Sequence, residues 1–180
     1  MKVLITGASG LLGRAIKREF EKNASWDILG LGFSRLAGGL KKVDLTNPQE
    51  LNQVINDFKP DVVVHAAAER RPDVVGTKEL ETEALNIQAT ENLAKYTNNI
   101  GGFLLYISTD YIFDGTSPPY TVQSQPNPLN KYGKTKLEGE LKTAAHCERH
   151  AILRVPILYG DIEQIGESAV TGKSRFFLLF

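Results

Sequence analysis

The sequence predicts an α/β fold in which helices cover both faces of a doubly wound parallel sheet. Short apolar runs alternate with longer amphipathic stretches along the chain, which is the rhythm of successive β-α-β units. In addition, a glycine-rich segment at residues 7–13 lies directly between the first apolar run and the first amphipathic stretch. A turn of this kind is typical of sheets that bind a phosphorylated ligand at their carboxyl edge.

The composition is that of one globular domain, and it excludes several other classes of protein. Of 180 residues, 42% are hydrophobic and 23% are charged, which is too apolar for a disordered chain. The 21 basic and 21 acidic side chains balance, so the sequence lacks the positive charge of a nucleic-acid-binding protein. The apolar runs are far shorter than the roughly 20 residues of a membrane span, and Cys147 is the single cysteine. We therefore expect a cytoplasmic protein with no disulfide, no metal site and no contact with membranes or nucleic acids.

Apolar periodicity predicts five strands and four helices. Each predicted strand is too short for a buried helix and is rich in Val, Ile, Leu or Phe, at residues 2–6, 27–32, 61–66, 102–108 and 151–156. The amphipathic stretches predict helices over 11–21, 48–58, 79–98 and 129–145. The second helix has the clearest start, because Asn47 is a good N-cap and Pro48 suits the first turn. Four prolines between residues 115 and 128 indicate an ordered loop over the edge of the sheet.

The glycine spacing in residues 7–13 predicts a dinucleotide site. Gly7 permits a tight turn after the first strand, Gly10 lets the backbone approach a pyrophosphate, and Gly13 lets the helix pack closely on the strand. The helix N-terminus that follows attracts phosphate charge. The predicted contacts of this loop are Gly7, Ser9, Gly10, Leu11, Leu12 and Gly13. A purely structural turn is the alternative interpretation.

The end of the second strand predicts which dinucleotide is bound. An NAD site carries an Asp or Glu about 20 residues past the glycines, where the carboxylate accepts a hydrogen bond from the ribose 2′-hydroxyl. This sequence has Ser34 and Arg35 there instead, a hydroxyl and a guanidinium that suit an additional 2′-phosphate. The expected cofactor is therefore NADP(H) rather than NAD(H), unless Arg35 is only a solvated surface cation.

The end of the third strand carries small side chains that leave room for a bound cofactor. Ala66, Ala67 and Ala68 follow His65 at the carboxyl end of that strand, where ligands bind in open α/β sheets. We interpret His65 itself as a histidine of the core and assign it no catalytic role.

A tyrosine and a lysine on the last predicted helix are the strongest candidates for chemistry. Tyr132 and Lys136 are four residues apart and therefore lie on one face of that helix. An adjacent ammonium is expected to lower the pKa of the Tyr132 phenol from about 10 and to make proton transfer feasible near neutral pH. Lys136 can also donate to the nicotinamide ribose, while Thr109 or Ser108, at the end of the fourth strand, would hydrogen-bond a substrate carbonyl. The alternative is a pair on the helix surface with no chemical role.

With these motifs in this order, the chain from residue 1 to about residue 168 resembles the extended short-chain dehydrogenases/reductases, which have a Rossmann-like fold. Within them, residues 106–115 (YISTDYIFDG) and 129–136 (LNKYGKTK) are similar to the dTDP-4-dehydrorhamnose reductases. The resemblance implies that Thr109, Tyr132 and Lys136 occupy catalytic positions. The further cofactor contacts that it implies are Asp44 and Leu45 beside the adenine, Arg70, Asn86, Tyr132 and Lys136. For Asn86 the alternative is an exposed polar residue of a helix.

Other segments resemble a family of non-catalytic relatives, the regulatory beta subunits of methionine adenosyltransferase. These segments are residues 10–14 (GLLGR), 65–75 (HAAAERRPDVV) and 154–160 (RVPILYG). The resemblance implies an NADP-binding regulatory protein that binds the catalytic subunit of methionine adenosyltransferase and tunes S-adenosylmethionine synthesis. An NADPH-dependent reductase of a 4-keto nucleotide sugar is the alternative, and a cofactor-binding fragment with neither function is a third.

The resemblance ends before the chain does. We expect an NADP-binding Rossmann-like domain over residues 1–168 and an atypical end over 169–180, where the aromatic-rich sequence is unlike the family. Because the family continues into a substrate lobe, this departure predicts that the parallel sheet is present but most of the second lobe is missing. The chain would then be a truncated or alternatively spliced product, or the result of an error in the gene model.

Overall fold

Six parallel strands form the central sheet of the part of the chain that the structure, a computed structural model, describes: residues 1–163, 167 and 168. The strands are β1 (Lys2–Thr6), β2 (Asp27–Gly32), β3 (Lys41–Lys42), β4 (Val62–His65), β5 (Phe103–Thr109) and β6 (His150–Val155). Their spatial order is β3-β2-β1-β4-β5-β6. The direction of winding therefore reverses between β1 and β4, and the carboxyl ends of these two strands flank a crevice.

Helices connect the strands and cover the sheet. They are α1 (Leu11–Phe20), α2 (Pro48–Phe58), α3 (Pro72–Thr77), α4 (Glu79–Glu83), α5 (Ala89–Asn99) and α6 (Lys131–His146). A π-helical turn, Ala84–Gln88, joins α4 to α5, and a 3₁₀ turn, Asp110–Ile112, follows β5. None of the described helices is long and apolar enough to cross a membrane.

The doubly wound α/β fold is confirmed, and most element boundaries agree with the sequence prediction within one or two residues. The helix α2 has the predicted bounds, and the Asn47 side chain caps it by accepting from the backbone N–H groups of Gln49 and Glu50. The predicted single helix over 79–98 is wrong in part, because the π-helical turn interrupts it. The short elements β3, α3 and the 3₁₀ turn escaped prediction because they span too few residues to show a period. The predicted atypical end, 169–180, lies outside the described residues.

Alternate residues of the central strands enter two separate core layers. Leu4 and Val63 pack with Leu93 of α5 in one buried cluster, to which α2 also contributes. Val3 and Val64 belong to the other cluster, which partly buried residues of α1 complete. This alternation is what a parallel sheet needs when helices cover both of its faces. The two layers hold the carboxyl ends of β1 and β4 in fixed positions.

The proline-rich loop after the 3₁₀ turn is ordered, as predicted. The Asp114 carboxylate accepts hydrogen bonds from the Tyr120 hydroxyl at 2.9 Å and the Asn127 amide at 2.8 Å. The Phe113 and Tyr120 rings stack with their centroids 4.2 Å apart. The Arg154 guanidinium of β6 lies 5.3 Å from the Phe113 ring centroid, so this loop contacts the edge strand of the described sheet.

Candidate functional site

A cavity of about 1060 Å³ opens at the carboxyl edge of the sheet, beside the crevice between β1 and β4. Its size is that of a cofactor site. The structure brings all but one of the predicted site residues together on its wall. These residues are Gly7, Ser9, Gly10, Leu11, Leu12, Gly13, Ser34, Arg35, Asp44, Leu45, Ala66, Ala67, Ala68, Arg70, Thr109, Tyr132 and Lys136. The exception is Asn86.

The loop between β1 and α1 has the geometry that its glycines predict. Gly7 adopts a φ of 66°, which residues with a side chain rarely adopt. A Cβ atom at Gly13 would lie 2.2 Å from the Gly7 carbonyl oxygen, so only glycine allows α1 to pack this closely on the turn. Gly10 is the N-cap of α1, and no side chain caps that helix. The N–H groups of its first turn are therefore available to an anion.

The segment that follows β2 places Ser34 and Arg35 on the cavity wall. Arg35 is not a solvated surface cation, because its guanidinium pairs with the carboxylate of Glu167. After β3, the Asp44 carboxylate accepts hydrogen bonds from the Thr46 backbone N–H at 2.9 Å and the Thr46 hydroxyl at 2.7 Å. These bonds fix the turn that presents Asp44 and Leu45 to the cavity.

Asn86 lies behind the cavity wall and is 1% exposed. Its amide oxygen accepts from the Glu69 backbone N–H at 2.8 Å, and its amide nitrogen donates to the Glu69 carbonyl at 2.9 Å and the Thr135 hydroxyl at 3.0 Å. These partners belong to the loop that carries Arg70 and to α6. Asn86 is therefore neither an exposed helix residue nor part of the cavity lining. It joins two segments that do line the cavity.

Burial, rather than the neighbouring lysine, governs the pKa of the Tyr132 phenol. Burial raises that pKa to about 12, and the cation that opposes the rise is Arg70. Burial also lowers the pKa of Lys136 to about 7, and its ammonium lies 4.0 Å from the Tyr106 ring centroid. The expectation that Lys136 lowers the pKa of Tyr132 is therefore wrong. A lysine that loses its own charge near neutral pH stabilises a phenolate only weakly.

Of the two hydroxyl groups at the end of β5, that of Thr109 is the better placed to meet a ligand. The Ser108 hydroxyl donates at 2.5 Å to the buried carboxylate of Glu140, which Arg154 also holds with hydrogen bonds of 2.7 and 3.0 Å. The Thr109 hydroxyl donates to the Asp110 carboxylate at 3.2 Å and accepts from the Tyr111 backbone N–H at 3.2 Å. These longer bonds are weaker than the Ser108 bond and exchange more easily.

His65 is a core histidine, as the sequence interpretation has it. It is 1% exposed, and its ring nitrogens lie 2.7 Å from the Thr6 hydroxyl and 2.9 Å from the Thr90 hydroxyl. Burial, assisted by the charge of Lys136, lowers the pKa of the His65 imidazole to about 3. His65 therefore joins β4 to β1 and α5 as a neutral group.

Sequence reasoning missed Arg14, Glu140 and Glu167. Arg14 directly follows the last glycine of the loop, and its guanidinium donates to the Ser9 carbonyl at 3.0 Å. Glu140 lies four residues after Lys136, so the helical spacing that joins Tyr132 to Lys136 also indicates it. Glu167 follows no periodic pattern, and nothing in the sequence connects it to Arg35. Within the described residues, no cluster of three or more His, Cys, Asp or Glu side chains could hold a metal ion.

A comparison with known proteins identifies the family to which this chain belongs. The family model described as the RmlD substrate binding domain matches residues 1–171. The chain belongs to this family. The assignment agrees with the position of Thr109, Tyr132 and Lys136 beside a Rossmann-like cofactor cavity, because these are the positions on which the sequence resembles the reductases.

Two kinds of protein are among the curated relatives of this RmlD-family chain. Methionine adenosyltransferase 2 subunit beta of Xenopus tropicalis is 54% identical over 94% of this chain and 51% of its own length. dTDP-4-dehydrorhamnose reductase of Aggregatibacter actinomycetemcomitans is 33% identical over 89% of this chain and 52% of its own length. Both resemblances found in the sequence are thus confirmed, and the chain spans about half the length of the curated relatives it matches.

Solved structures confirm the Rossmann-like fold of the RmlD-family chain. The dTDP-4-dehydrorhamnose reductase of Bacillus anthracis, in complex with NADP, has a TM-score of 0.83 at 30% identity, over 97% of this chain and 59% of that chain. A Bordetella bronchiseptica enzyme in complex with NAD and UDP has a TM-score of 0.78 at 27% identity, over 91% of this chain and 56% of that one. Because similar folds hold either dinucleotide, local residues must decide which one is bound.

Proposed function

We propose that residues 1–168 form an NADP(H)-binding domain whose cofactor occupies the cavity at the carboxyl edge of the sheet. The residues present fit this group. The uncapped first turn of α1 would hold the pyrophosphate, and a Cβ at Gly10 would meet only the Gly7 carbonyl oxygen, at 3.3 Å, so the space beside the loop is open. Ser34 and Arg35 would hold the 2′-phosphate, and Asp44 and Leu45 would flank the adenine.

The proposed role of this domain is regulatory: it binds the catalytic subunit of methionine adenosyltransferase and tunes S-adenosylmethionine synthesis. The observation that carries this proposal is the 54% identity, over 94% of the chain, to a methionine adenosyltransferase beta subunit, against 33% to a sugar reductase. Burial also raises the pKa of the Tyr132 phenol to about 12, which makes this phenol a weak proton donor at neutral pH.

Co-purification and enzyme kinetics test the regulatory role. The chain, mixed with the methionine adenosyltransferase catalytic subunit, is expected to co-elute with it in size-exclusion chromatography and to change the rate or substrate affinity of S-adenosylmethionine formation. Gly10→Val, which blocks the proposed pyrophosphate position, shows whether cofactor is needed for the effect. Separate elution together with unchanged kinetics would contradict this role.

A reductase of a 4-keto nucleotide sugar is the second candidate, because Thr109, Tyr132 and Lys136 all line the cavity. Bound NADPH would supply the hydride to the carbonyl carbon. The Tyr132 phenol would give its proton to the carbonyl oxygen, which becomes a hydroxyl, while the Thr109 hydroxyl donates a hydrogen bond to that oxygen. Lys136 would then help to return a proton to the Tyr132 phenolate.

Nicotinamide absorbance distinguishes the two candidates. If the role of this chain is regulatory, we expect no measurable oxidation of NADPH when dTDP-4-dehydrorhamnose is added. Acid–base groups accelerate a reaction only when the protein holds the substrate in the reactive geometry. Turnover that Tyr132→Phe abolishes would establish the reductase. The variant Tyr111→Phe is a matched control, since Tyr111 packs edge-on against Tyr132 with ring centroids 6.3 Å apart but is assigned no proton transfer.

A further inference from the structure

One carboxylate binds two arginines at the edge of the proposed cofactor cavity. Glu167 Oε1 accepts from Arg14 Nη1 at 2.8 Å and from Arg35 Nη1, so a single oxygen lies between two guanidinium groups. Glu167 Oε2 accepts from Arg14 Nη2 at 2.9 Å and from the Glu163 backbone N–H at 3.0 Å. The Glu167 carbonyl accepts from Arg70 as well. Every oxygen of this residue's carboxylate therefore has a donor.

The carboxylate is also removed from water. The Glu167 side chain is 6% exposed, whereas those of Arg14 and Arg35 are 22% and 35% exposed. The donors, led by the Arg14 guanidinium, hold the pKa of Glu167 well below its usual range, so the group is ionised at neutral pH. A buried anion that bridges two guanidinium groups has the chemistry of a bound phosphate oxygen.

We propose that Glu167 is a specificity-determining residue, whose carboxylate occupies the Arg35 guanidinium that the 2′-phosphate of NADP(H) would otherwise take. This inference rests on the proposed binding of NADP(H). A doubly charged phosphate and the Glu167 carboxylate cannot both bind Arg35 at hydrogen-bond distance without repelling each other. The phosphate must therefore displace the carboxylate before it binds. NAD(H), which has no 2′-phosphate, needs no such displacement, so Glu167 reduces the preference for NADP(H) that Arg35 creates.

Titration calorimetry of the whole chain with NADPH and with NADH tests this inference, using Glu167→Gln. Glutamine keeps the size of the side chain and removes its charge. We expect this variant to bind NADPH about tenfold more tightly, because the charged group that competes with the 2′-phosphate for Arg35 is lost. Binding of NADH should be nearly unchanged. The matched control is Glu19→Gln, because the Glu19 carboxylate pairs with Lys22 Nζ at 2.6 Å, is 67% exposed, and makes no described contact with Arg14 or Arg35. The control should leave both affinities unchanged.

The outcomes separate this inference from the function on which it rests. If the parent chain binds NADPH but Glu167→Gln leaves the ratio of NADPH to NADH affinity unchanged, or lowers it, Glu167 does not compete with the phosphate and the inference is wrong. If the parent chain binds neither dinucleotide, the proposed function itself fails. Circular dichroism checks that the variant folds. If it does not, Glu167→Asp keeps the charge but withdraws it from Arg35, and a tighter affinity for NADPH alone is again the expected result.

Discussion

Burial opposes charge on three side chains beside the cavity. It lowers the pKa of His65 to about 3 and that of Lys136 to about 7, and it raises that of Tyr132 to about 12. Each shift favours the neutral form, because the free energy needed to remove the charged form from water exceeds the stabilisation that nearby charges and hydrogen bonds provide. Glu167 differs from these three groups, because its carboxylate is paired with Arg14 and Arg35 and stays ionised.

The neutral state of His65 predicts a loss of stability in acid. Below about pH 6.5 the unfolded chain binds a proton on this histidine that the folded chain does not bind until about pH 3. The free energy of unfolding should therefore fall as pH decreases through this window, by at most about 1.4 kcal/mol per pH unit from this group. Urea denaturation between pH 7 and pH 4 measures the slope.

His65→Gln should have a shallower slope than the parent chain in this experiment. The comparison is needed because other groups also lower the stability of the chain in acid. The carboxylates of Glu91, Asp114 and Glu167 have pKa values below their usual range, so their protonation reduces the free energy of unfolding as well. His150→Gln, at the partly buried start of β6, is the matched control. Equal slopes for His65→Gln and the parent would contradict the assignment of His65 as a buried neutral group.

Arg35 is the residue on which the discrimination between dinucleotides depends. Its loss should remove a charge-assisted contact with the 2′-phosphate, which is worth about 1.5–3 kcal/mol, or roughly tenfold or more in affinity. Arg35→Ala is therefore expected to bind NADPH and NADH equally, as measured by fluorescence titration. Arg18→Ala is the control, because Arg18 is exposed and pairs only weakly with Asp161, at 3.5 Å. A preference for NADPH that survives in Arg35→Ala would show that other residues recognise the phosphate.

At the scale of elements, the close approach of α6 to β5 positions Tyr132 and Lys136. A Cβ atom at Gly139 would lie 2.1 Å from the Tyr106 hydroxyl oxygen, and Tyr106 is fully buried on β5. The π-helical turn also holds α6, because the Asn86 amide nitrogen donates to the Thr135 hydroxyl at 3.0 Å. The helix therefore has little freedom to move relative to the cavity.

Gly139→Ala should destabilise the chain although alanine favours helix formation. The added methyl group must push α6 away from β5, and such overpacking lowers the free energy of unfolding by about 1–3 kcal/mol. The higher helix propensity of alanine offsets roughly 1 kcal/mol of this loss, so we expect a net destabilisation. Gly76→Ala in α3 is the matched control, since its Cβ would meet nothing within 4 Å, and it should be neutral or slightly stabilising. Chemical denaturation compares the two. A stabilised Gly139→Ala would mean that α6 packs more loosely than described.

For the whole molecule, cofactor binding should raise the melting temperature. At a hundred times its Kd, a ligand that binds only the folded state adds about 2.7 kcal/mol of stability, which is roughly 5–10 °C for a chain of this length. We expect NADPH to produce this shift in the parent chain and not in Gly10→Val, whose side chain fills the space proposed for the pyrophosphate. Differential scanning fluorimetry measures both. A shift of equal size in the two proteins would place the cofactor elsewhere.

The sequence by itself determined how the longer strands and helices alternate along the chain and where the glycine-rich loop lies. Both depend on local rules: apolar residues repeat with the period of their element, and the spacing of Gly7, Gly10 and Gly13 follows from the backbone geometry of one turn. The same rules placed Tyr132 and Lys136 on one helix face. Elements of two to six residues, such as β3 and α3, were missed because a period cannot be seen over so few positions.

Only the tertiary structure decided how the site residues are charged and what they contact. Glu167 meets Arg14 and Arg35 across 153 and 132 residues of chain, and no local pattern predicts a pair so distant. The direction of the Tyr132 pKa shift likewise depends on how much protein surrounds the phenol rather than on the lysine four residues away. Burial and long-range pairing are properties of the assembled fold, because they arise from residues that come together only when the sheet and its helices have packed.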